Sequence, residues 1–363
     1  MGPCSQSLKM SGGFLCWMSA LLSLLEPSFH YPCHGPCLCQ ERSRSVNCSG
    51  VNLTGPLSFP PETEHLDLSG GRLLEVPGPS LRFLWKLQVL LLGGNHISLV
   101  GEGAFGALES LRNLELQHNQ ISALGSGFST GLGELRELSL AYNRLRELKA
   151  HSFRHFEELQ ELSLQNNAIA SVQPGTFRSL TRLRRLYLQS NRLQHLQNGI
   201  FSMLQHLEVL DLEGNQIESI APGVFTALKS LAVLNLAHNA LGHIRFRTLL
   251  SIQTPSTYIT LAHNPWVCDC DLQRVFGKLH RVPWLILDAY SNVTCLEPPV
   301  LQNLPLALVD TQLCTAETVT VLVITFTVCI TVVAAVVMAE RNRKKRTGKH
   351  WSEDSEMAYE APE

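Results

Sequence analysis

Two groups of four cysteines are the residues in this sequence whose types and spacing most clearly could do chemistry. They are Cys33, Cys37, Cys39 and Cys48, and then Cys268, Cys270, Cys295 and Cys314. Four thiolates in one place could hold a zinc ion, whereas cysteines in an oxidising compartment form disulfide bonds. Because the groups flank a repetitive region in a chain with a signal-peptide-like leader, we interpret them as disulfide sites. Spacing alone leaves the pairing open.

A second motif suggests nucleotide chemistry. GEGAFG, at residues 101–106, matches the G-x-G-x-x-G pattern of a dinucleotide-binding loop. These residues, however, lie in a region whose pattern repeats every 24 residues, and Phe105 occupies a regular core position in it. A unit of that length has no room for the long helix that such a loop requires. The sequence also has no G-x-S-x-G, H-E-x-x-H or P-loop motif. We therefore expect no enzyme, cofactor, metal or small-molecule substrate, with a triad assembled across repeats as the alternative.

Between the cysteine groups, an asparagine recurs every 24 residues. The recurring residues are Asn95, Asn119, Asn143, Asn167, Asn191, Asn215 and Asn239. Leucine and isoleucine keep fixed offsets around them in the pattern L-x-x-L-x-L-x-x-N-x-L, which is typical of leucine-rich-repeat solenoids. A single unit is too small to fold alone, and stacked units share a continuous core. We predict an α/β solenoid with a curved parallel sheet on its concave face.

The recurring asparagine has a predicted structural role. Backbone groups at the end of each strand face the interior without ladder partners, and each unpaired buried group costs about 1 to 3 kcal/mol. An inward amide supplies donors and an acceptor, so we expect it to bond its own turn and the adjoining repeat. Three positions depart from the pattern. Gly71 replaces the first asparagine, Leu249 replaces the last recurring phenylalanine, and Phe128 comes one residue early.

Two apolar stretches outside the repeats predict targeting and anchoring. Lys9 followed by the run from Phe14 to Leu25 resembles a signal peptide, with a short N-terminal anchor as the alternative. Residues 319–339 form an uncharged run of 21 residues, long enough to span a bilayer as a helix. A basic cluster follows, made of Arg341, Arg343, Lys344, Lys345 and Arg346. The positive-inside rule then predicts a single-pass type I protein of the plasma membrane, with an extracellular N-terminus.

These features divide the chain into six predicted segments. They are a signal peptide (1–30), an N-terminal cysteine-rich cap (31–60), about eight leucine-rich repeats (61–263), a C-terminal cysteine-rich cap (264–316), a transmembrane helix (318–339) and a cytoplasmic tail (340–363). Asn52 and Asn292 lie in glycosylation sequons. Asn47 is a weaker candidate because Cys48 within its sequon is expected to be bridged. We expect the glycans at the caps to leave the concave face bare.

The repeats with their flanking segments resemble the vertebrate extracellular leucine-rich-repeat membrane proteins. YPCHGPCLCQ through VNC is similar to the N-terminal cap of that family, and NPWVCDCDLQRV through DTQLC to its C-terminal cap. The resemblance implies disulfide bonds Cys33–Cys39, Cys37–Cys48, Cys268–Cys295 and Cys270–Cys314. The layout is similar to the auxiliary gamma subunits of large-conductance calcium-activated potassium channels and to leucine-rich-repeat adhesion proteins.

The variable strand positions predict where partners bind. The candidate patch consists of Glu161, Arg185, Tyr187 and Gln189 with Tyr142, because aromatic and arginine side chains dominate many interfaces; an ordinary solvated face is the alternative. The net charge of −2 predicts no nucleic acid partner. We expect a cell-surface protein that binds a protein ligand or receptor through its ectodomain, in recognition, adhesion or a co-receptor role. The alternative is an auxiliary subunit that modulates a potassium channel through its transmembrane segment and basic cluster.

Overall fold

The computed structural model describes residues 35–40, 42, 44–150, 152–309 and 312–356. The predicted signal peptide, Cys33 and the last seven residues of the tail lie outside the described residues. A twelve-stranded sheet runs through the solenoid. Its strands are β1 (Leu38–Gln40), β2 (Ser45–Asn47), β3 (His65–Asp67), β4 (Val89–Leu91), β5 (Asn113–Glu115), β6 (Glu137–Ser139), β8 (Glu161–Ser163), β10 (Arg185–Tyr187), β12 (Val209–Asp211), β14 (Val233–Asn235), β15 (Thr257–Thr260) and β17 (Leu285–Asp288).

The sheet confirms the predicted solenoid. β1 and β2 pair antiparallel, and the remaining neighbours pair parallel in register. Within this sheet, each strand from β3 to β14 has three residues, with a buried leucine between two outward side chains. This alternation follows from the two-residue period of a strand, which sends successive side chains to opposite faces. The outward side is the concave face of a leucine-rich-repeat solenoid.

The opposite side of the solenoid contains little regular structure in the described residues. Short strands pair there as β7 (Glu147–Leu148) with β9 (Ser171–Val172), and as β11 (His195–Leu196) with β13 (Ser219–Ile220). The repeats contain two short helices, α1 (Gly78–Leu81) and α2 (Phe246–Leu250). Leu249, which replaces the expected phenylalanine, is fully buried in α2. The rest of each unit consists of turns, so helices make up only a small fraction of the repeats in this α/β fold.

Phenylalanines stack along the core beneath these turns. The rings of Phe153 and Phe177 lie 6.0 Å apart and stack, and Phe177 stacks on Phe201 at 6.3 Å. Phe128 remains in the core despite its shifted position, because its ring packs edge-on between Phe105 and Phe156, 6.0 Å from each. The shift therefore changes which rings touch without exposing a core residue.

The asparagine ladder bonds neighbouring repeats as expected. Asn191 Nδ2 donates to the carbonyl of Leu188 in its own unit (3.0 Å) and to that of Leu164 in the unit before (2.9 Å). Asn191 Oδ1 accepts from the backbone N–H of Ile169 at 3.0 Å. The Leu188 carbonyl also accepts from Asn215 Nδ2 at 3.0 Å. Each such carbonyl thus bonds two successive asparagines.

The ladder extends one unit further than the 24-residue period predicts. Asn264 donates to the carbonyls of Leu236 (3.0 Å) and Leu261 (3.1 Å), although it lies 25 residues after Asn239. The indole N–H of fully buried Trp266 then donates to the Leu261 carbonyl at 3.1 Å, where another repeat would place its asparagine. The tryptophan therefore satisfies the last carbonyl of the ladder.

The other end of the ladder explains why Gly71 interrupts the pattern. A Cβ added at Gly71 would lie 3.0 Å from Asn95 Oδ1 and 3.0 Å from the carbonyl oxygen of Val51. The backbone of the N-terminal cap therefore occupies the space that an asparagine would need. Glycine is required there by close approach of the chain.

Disulfide bonds close both ends of the solenoid. Cys37 is bonded to Cys48 in the N-terminal cap, and Cys39 is also disulfide-bonded. In the C-terminal cap the bonds are Cys268–Cys295 and Cys270–Cys314. These three described pairs are the ones that the family resemblance implies.

The C-terminal cap leads into a long helix. The cap contains β16 (Trp266–Val267) paired with β18 (Cys295–Glu297), and helix α3 (Cys270–Leu279). Asp269 begins α3 by accepting the N–H of Leu272 at 2.8 Å, a standard N-cap. Helix α4 (Gln312–Glu356) follows. Its segment Val319–Lys344 is long enough to cross a membrane and includes an apolar stretch with a mean hydropathy of 2.8.

Candidate protein-binding surface

The concave face presents two parallel rows of outward side chains along its central and C-terminal strands. The first row is Glu137, Glu161, Arg185, Val209, Val233, Tyr258 and Ile286. The second row is Ser139, Ser163, Tyr187, Asp211, Asn235, Thr260 and Asp288. Strand pairing in register places neighbours within each row about 4.8 Å apart.

The C-terminal half of the first row is apolar and faces solvent. Val233, Tyr258 and Ile286 are 37%, 51% and 38% exposed, and Val209 beside them is half-buried. We call these four residues the apolar strip. The strip was not predicted from the sequence, because valine and isoleucine in a leucine-rich strand are expected to be buried in the core. The signal was present, since Val209 and Val233 occupy the variable position just before the central leucine of their strands.

Acidic residues border the apolar strip. Asp211 and Asp288 belong to the second row, and Glu213 follows Asp211 at the strand end. Burial raises the pKa of the Asp211 carboxyl above its ordinary value, although its hydrogen bond from the Glu213 backbone opposes the change. The rings of His238 and His263 stack at 4.3 Å beside this border, and His238 Nε2 lies 3.9 Å from Glu213 Oε1.

The patch predicted from the sequence adjoins the apolar strip. Arg185 lies opposite Val209 in register, and Tyr187 lies opposite Asp211. Arg185 Nε donates to Glu161 Oε2 at 2.6 Å, and this interaction raises the pKa of the Arg185 guanidinium. Burial first, and then the charge of Glu161, raise the pKa of the Tyr187 hydroxyl. The arginine of the patch is therefore already paired within this chain.

The remaining two patch residues meet at Gln165. Gln189 donates from Nε2 to the side-chain oxygen of Gln165, and the backbone N–H of Tyr142 donates to the carbonyl of Gln165 at 2.9 Å. The Tyr142 ring is 44% exposed and stacks on His118 at 4.2 Å. The structure thus brings all five predicted residues onto one continuous area, with Tyr142 at its edge.

The sequons occupy different parts of the molecule. Asn52 and Asn292 are exposed and lie outside the strands of the main sheet, in the two cap regions. Asn47 is exposed at the end of β2 and pairs in register with Asp67, so it lies at the N-terminal end of the concave face. Its side chain already accepts the Ser49 N–H at 2.8 Å. Glycans at all three positions remain a prediction, and only one at Asn47 would border the sheet surface.

Comparison with known families identifies the repeat architecture. A family model described as leucine-rich repeat matches residues 61–121, 133–193 and 181–241. The chain is a leucine-rich-repeat protein. Its disulfide-capped ends and the C-terminal apolar helix complete the arrangement described above.

Two curated relatives share part of this leucine-rich-repeat protein. Leucine-rich repeat-containing G-protein coupled receptor 5A of Xenopus laevis is 34% identical over 108 residues, covering 28% of this chain and 12% of the receptor. Trophoblast glycoprotein of Macaca fascicularis is 34% identical over 94 residues, covering 25% of this chain and 22% of that protein. The chain thus matches less than a quarter of either relative.

Solved structures share the fold over most of the leucine-rich-repeat protein. A chain from the octameric complex of Latrophilin 3, Unc5D and FLRT2 aligns with a TM-score of 0.63 and 23% identity, covering 77% of this chain and 98% of that one. Human 5T4, the trophoblast glycoprotein, aligns with a TM-score of 0.59 and 26% identity over the same shares. These alignments extend the likeness well beyond the segments matched in sequence.

Proposed function

We propose that this protein is a single-pass type I protein of the plasma membrane whose concave face binds another protein, in recognition, adhesion or a co-receptor role. The observation that carries the proposal is the apolar strip on a rigid sheet, bordered by acidic side chains and continuous with Arg185 and Tyr187. Large contiguous apolar patches are uncommon on the surface of monomeric soluble proteins and often mark binding sites.

The dimensions of the first row suit a protein partner. Its seven residues span six strand intervals, or about 29 Å at about 4.8 Å each. A standard interface buries about 800 Å² on each partner, which corresponds to a patch of similar width. A partner of this size would cover the strip and the paired Arg185 together.

Charge determines the chemistry expected of the partner. Asp211, Glu213 and Asp288 border the strip along one side, so a complementary surface would place lysines or arginines beside apolar side chains. The relatives support a protein ligand, since one is named a receptor and FLRT2 occurs in a complex with Latrophilin 3 and Unc5D.

A binding screen tests this proposal. The full-length protein displayed on cells would be exposed to a panel of purified extracellular domains, and any bound domain would be retested on Val233→Asp and Tyr258→Asp. Losing one hot-spot side chain costs about 2 kcal/mol, or roughly 30-fold in affinity. Leu74→Asp is the matched control, because Leu74 is 70% exposed and lies outside the sheet. Unchanged binding by both strip variants would reject the concave face as the site.

The helix after the ectodomain supports a second candidate function, modulation of a potassium channel. Arg341, Arg343 and Lys344 are exposed on α4 directly after the apolar segment, and Lys345 and Arg346 continue the helix. Such a cluster interacts with anionic lipid and with charges of membrane partners. Replacing residues 319–346 with an unrelated span should abolish a shift in the half-activation voltage of a co-expressed calcium-activated potassium channel while preserving ectodomain binding. Loss of binding with no effect on the channel would contradict this second function.

A further inference from the structure

The C-terminal cap carries an apolar hairpin at the point where the solenoid meets α4. Segments 293–296 and 303–306 run side by side, since the N–H of Cys295 donates to Leu304 and the N–H of Leu306 donates to Val293. Residues 293–309 contain a single charged residue, Glu297. Leu296, Val300 and Leu308 are 45%, 86% and 69% exposed. We call these three residues the apolar edge.

The cap is tied closely to the beginning of the apolar helix. The disulfide bond Cys270–Cys314 joins α3 to the start of α4, with 5.4 Å between the Cα atoms. Cys314 precedes Val319, where the apolar segment begins, by five residues or about 7.5 Å of helix. The headgroup layer of each leaflet is about 5 to 7 Å thick. The cap therefore lies at the depth of the outer headgroups once α4 spans the bilayer.

We infer that the apolar edge inserts into the outer leaflet and holds the C-terminal cap against the lipid surface. Leu308 is six residues from Cys314, and the hydrogen bonds of the hairpin keep Val300 on the same rigid unit. Apolar side chains at this level enter the boundary between headgroups and acyl chains, where they leave water without crossing the bilayer. The near absence of charge in the hairpin removes the usual penalty for this placement. The inference rests on the membrane topology proposed above.

Depth-dependent quenching in the full-length chain tests the inference. Cys329, which is free among the described residues, would be replaced by serine together with Cys4 and Cys16. A polarity-sensitive fluorophore would be attached at Val300→Cys or Leu308→Cys. The protein would be reconstituted into phosphatidylcholine vesicles in which part of the lipid carries a nitroxide near the top of the acyl chain. We expect at least twofold quenching and a blue-shifted emission at both positions.

Two control positions separate the possible outcomes. Leu74→Cys is equally exposed but lies in the first repeat, so its label should report water and show no quenching. Ile324→Cys lies inside the apolar segment and should be quenched if α4 spans the bilayer. Quenching at Ile324 with none at Val300 and Leu308 would overturn the inference alone. No quenching at Ile324 would overturn the topology and the inference together.

A second set of labels guards against disulfide exchange near the cap. The same fluorophore introduced as an unnatural amino acid at positions 300, 308, 74 and 324 adds no thiol beside Cys295 or Cys314. These labels should reproduce the twofold quenching at positions 300 and 308. Agreement of positions 300 and 308 with position 74 would reject lipid contact.

Discussion

Replacing Asn191 with alanine should destabilise the packing of two neighbouring repeats far more than replacing an exposed asparagine with alanine. Asn191 is 5% exposed and makes four bonds to the backbone: it donates to Leu164 and Leu188, donates weakly to Gln189 at 3.4 Å, and accepts once. Alanine removes all of these bonds without adding the extra backbone freedom of glycine. The change therefore isolates the amide that recurs throughout the solenoid.

The expected loss of stability depends on which hydrogen bonds each backbone group retains after the substitution. The Leu164 carbonyl still accepts from Asn167 (3.1 Å), and the Leu188 carbonyl still accepts from Asn215 (3.0 Å). Each therefore loses one of two bonds, at about 0.5 to 1.5 kcal/mol. The Ile169 N–H loses the bond to Asn191 and is left unsatisfied, at about 1 to 3 kcal/mol. The total is about 2 to 6 kcal/mol.

Hydrogen exchange of the full-length protein in detergent measures this cost locally. Because about 1.4 kcal/mol is a factor of ten, the Ile169 amide should exchange at least roughly 25-fold faster in Asn191→Ala. Asn198→Ala is the control, since exposed Asn198 makes one bond, to the N–H of Gly223. The control should change local stability by less than about 0.5 kcal/mol. If the Ile169 amide stayed protected from exchange in Asn191→Ala, the conclusion that the asparagine ladder bonds neighbouring repeats together would be refuted.

Three further perturbations test other features. Gly71→Asn restores the repeat pattern but should destabilise the protein by about 1 to 3 kcal/mol through overpacking. Its melting temperature should be lower than that of Gly101→Asn, where an added side chain meets open space. Equal melting temperatures would contradict the close approach of the chain at Gly71. Trp266→Phe should cost at least about 0.5 to 1.5 kcal/mol in urea unfolding, because it removes the last ladder donor and leaves a cavity at a fully buried position. An unchanged midpoint would show that the indole bond contributes nothing. The pKa of Asp211 is raised in the folded state, so the free energy of unfolding should fall as pH rises from about 3.9 through the folded pKa. Asp211→Asn should flatten that fall in unfolding measured across a pH series, and an identical pH profile would exclude burial of the carboxylate as its cause.

The 24-residue period was sufficient to predict the repeats and the bonding role of the asparagines. It failed at Asn264, because one additional residue in the last unit moves this asparagine to a spacing of 25. The bonds of Asn264 depend on where its strand ends, and backbone geometry absorbs the extra residue elsewhere. The period also could not place Phe128, because the position of its ring is determined by contacts with Phe105 and Phe156 in the neighbouring units.

The proposed binding surface could be predicted only in part. Strand position identified the variable residues, but Val233 and Tyr258 were not predicted to lie on the binding surface. While the direction of a side chain is unknown, an apolar residue is assigned to the core by default. The pairing of β14 with β15 shows that Val233 and Tyr258 face outward. The pairing of Arg185 with Glu161 was also beyond the sequence, because it depends on two strands 24 residues apart lying in register.

The backward direction of the ladder has a consequence for synthesis of the chain. Each asparagine bonds the repeat that precedes it, as Asn191 does for Ile169 and Leu164. A newly made unit therefore keeps an unpaired N–H until the following unit emerges. At about 5 to 20 residues per second, this interval lasts roughly 1 to 5 s for 24 residues. The growing end is thus always the least complete part of the molecule, and this condition ends when Asn264 arrives and accepts the N–H of Leu241 at 3.1 Å.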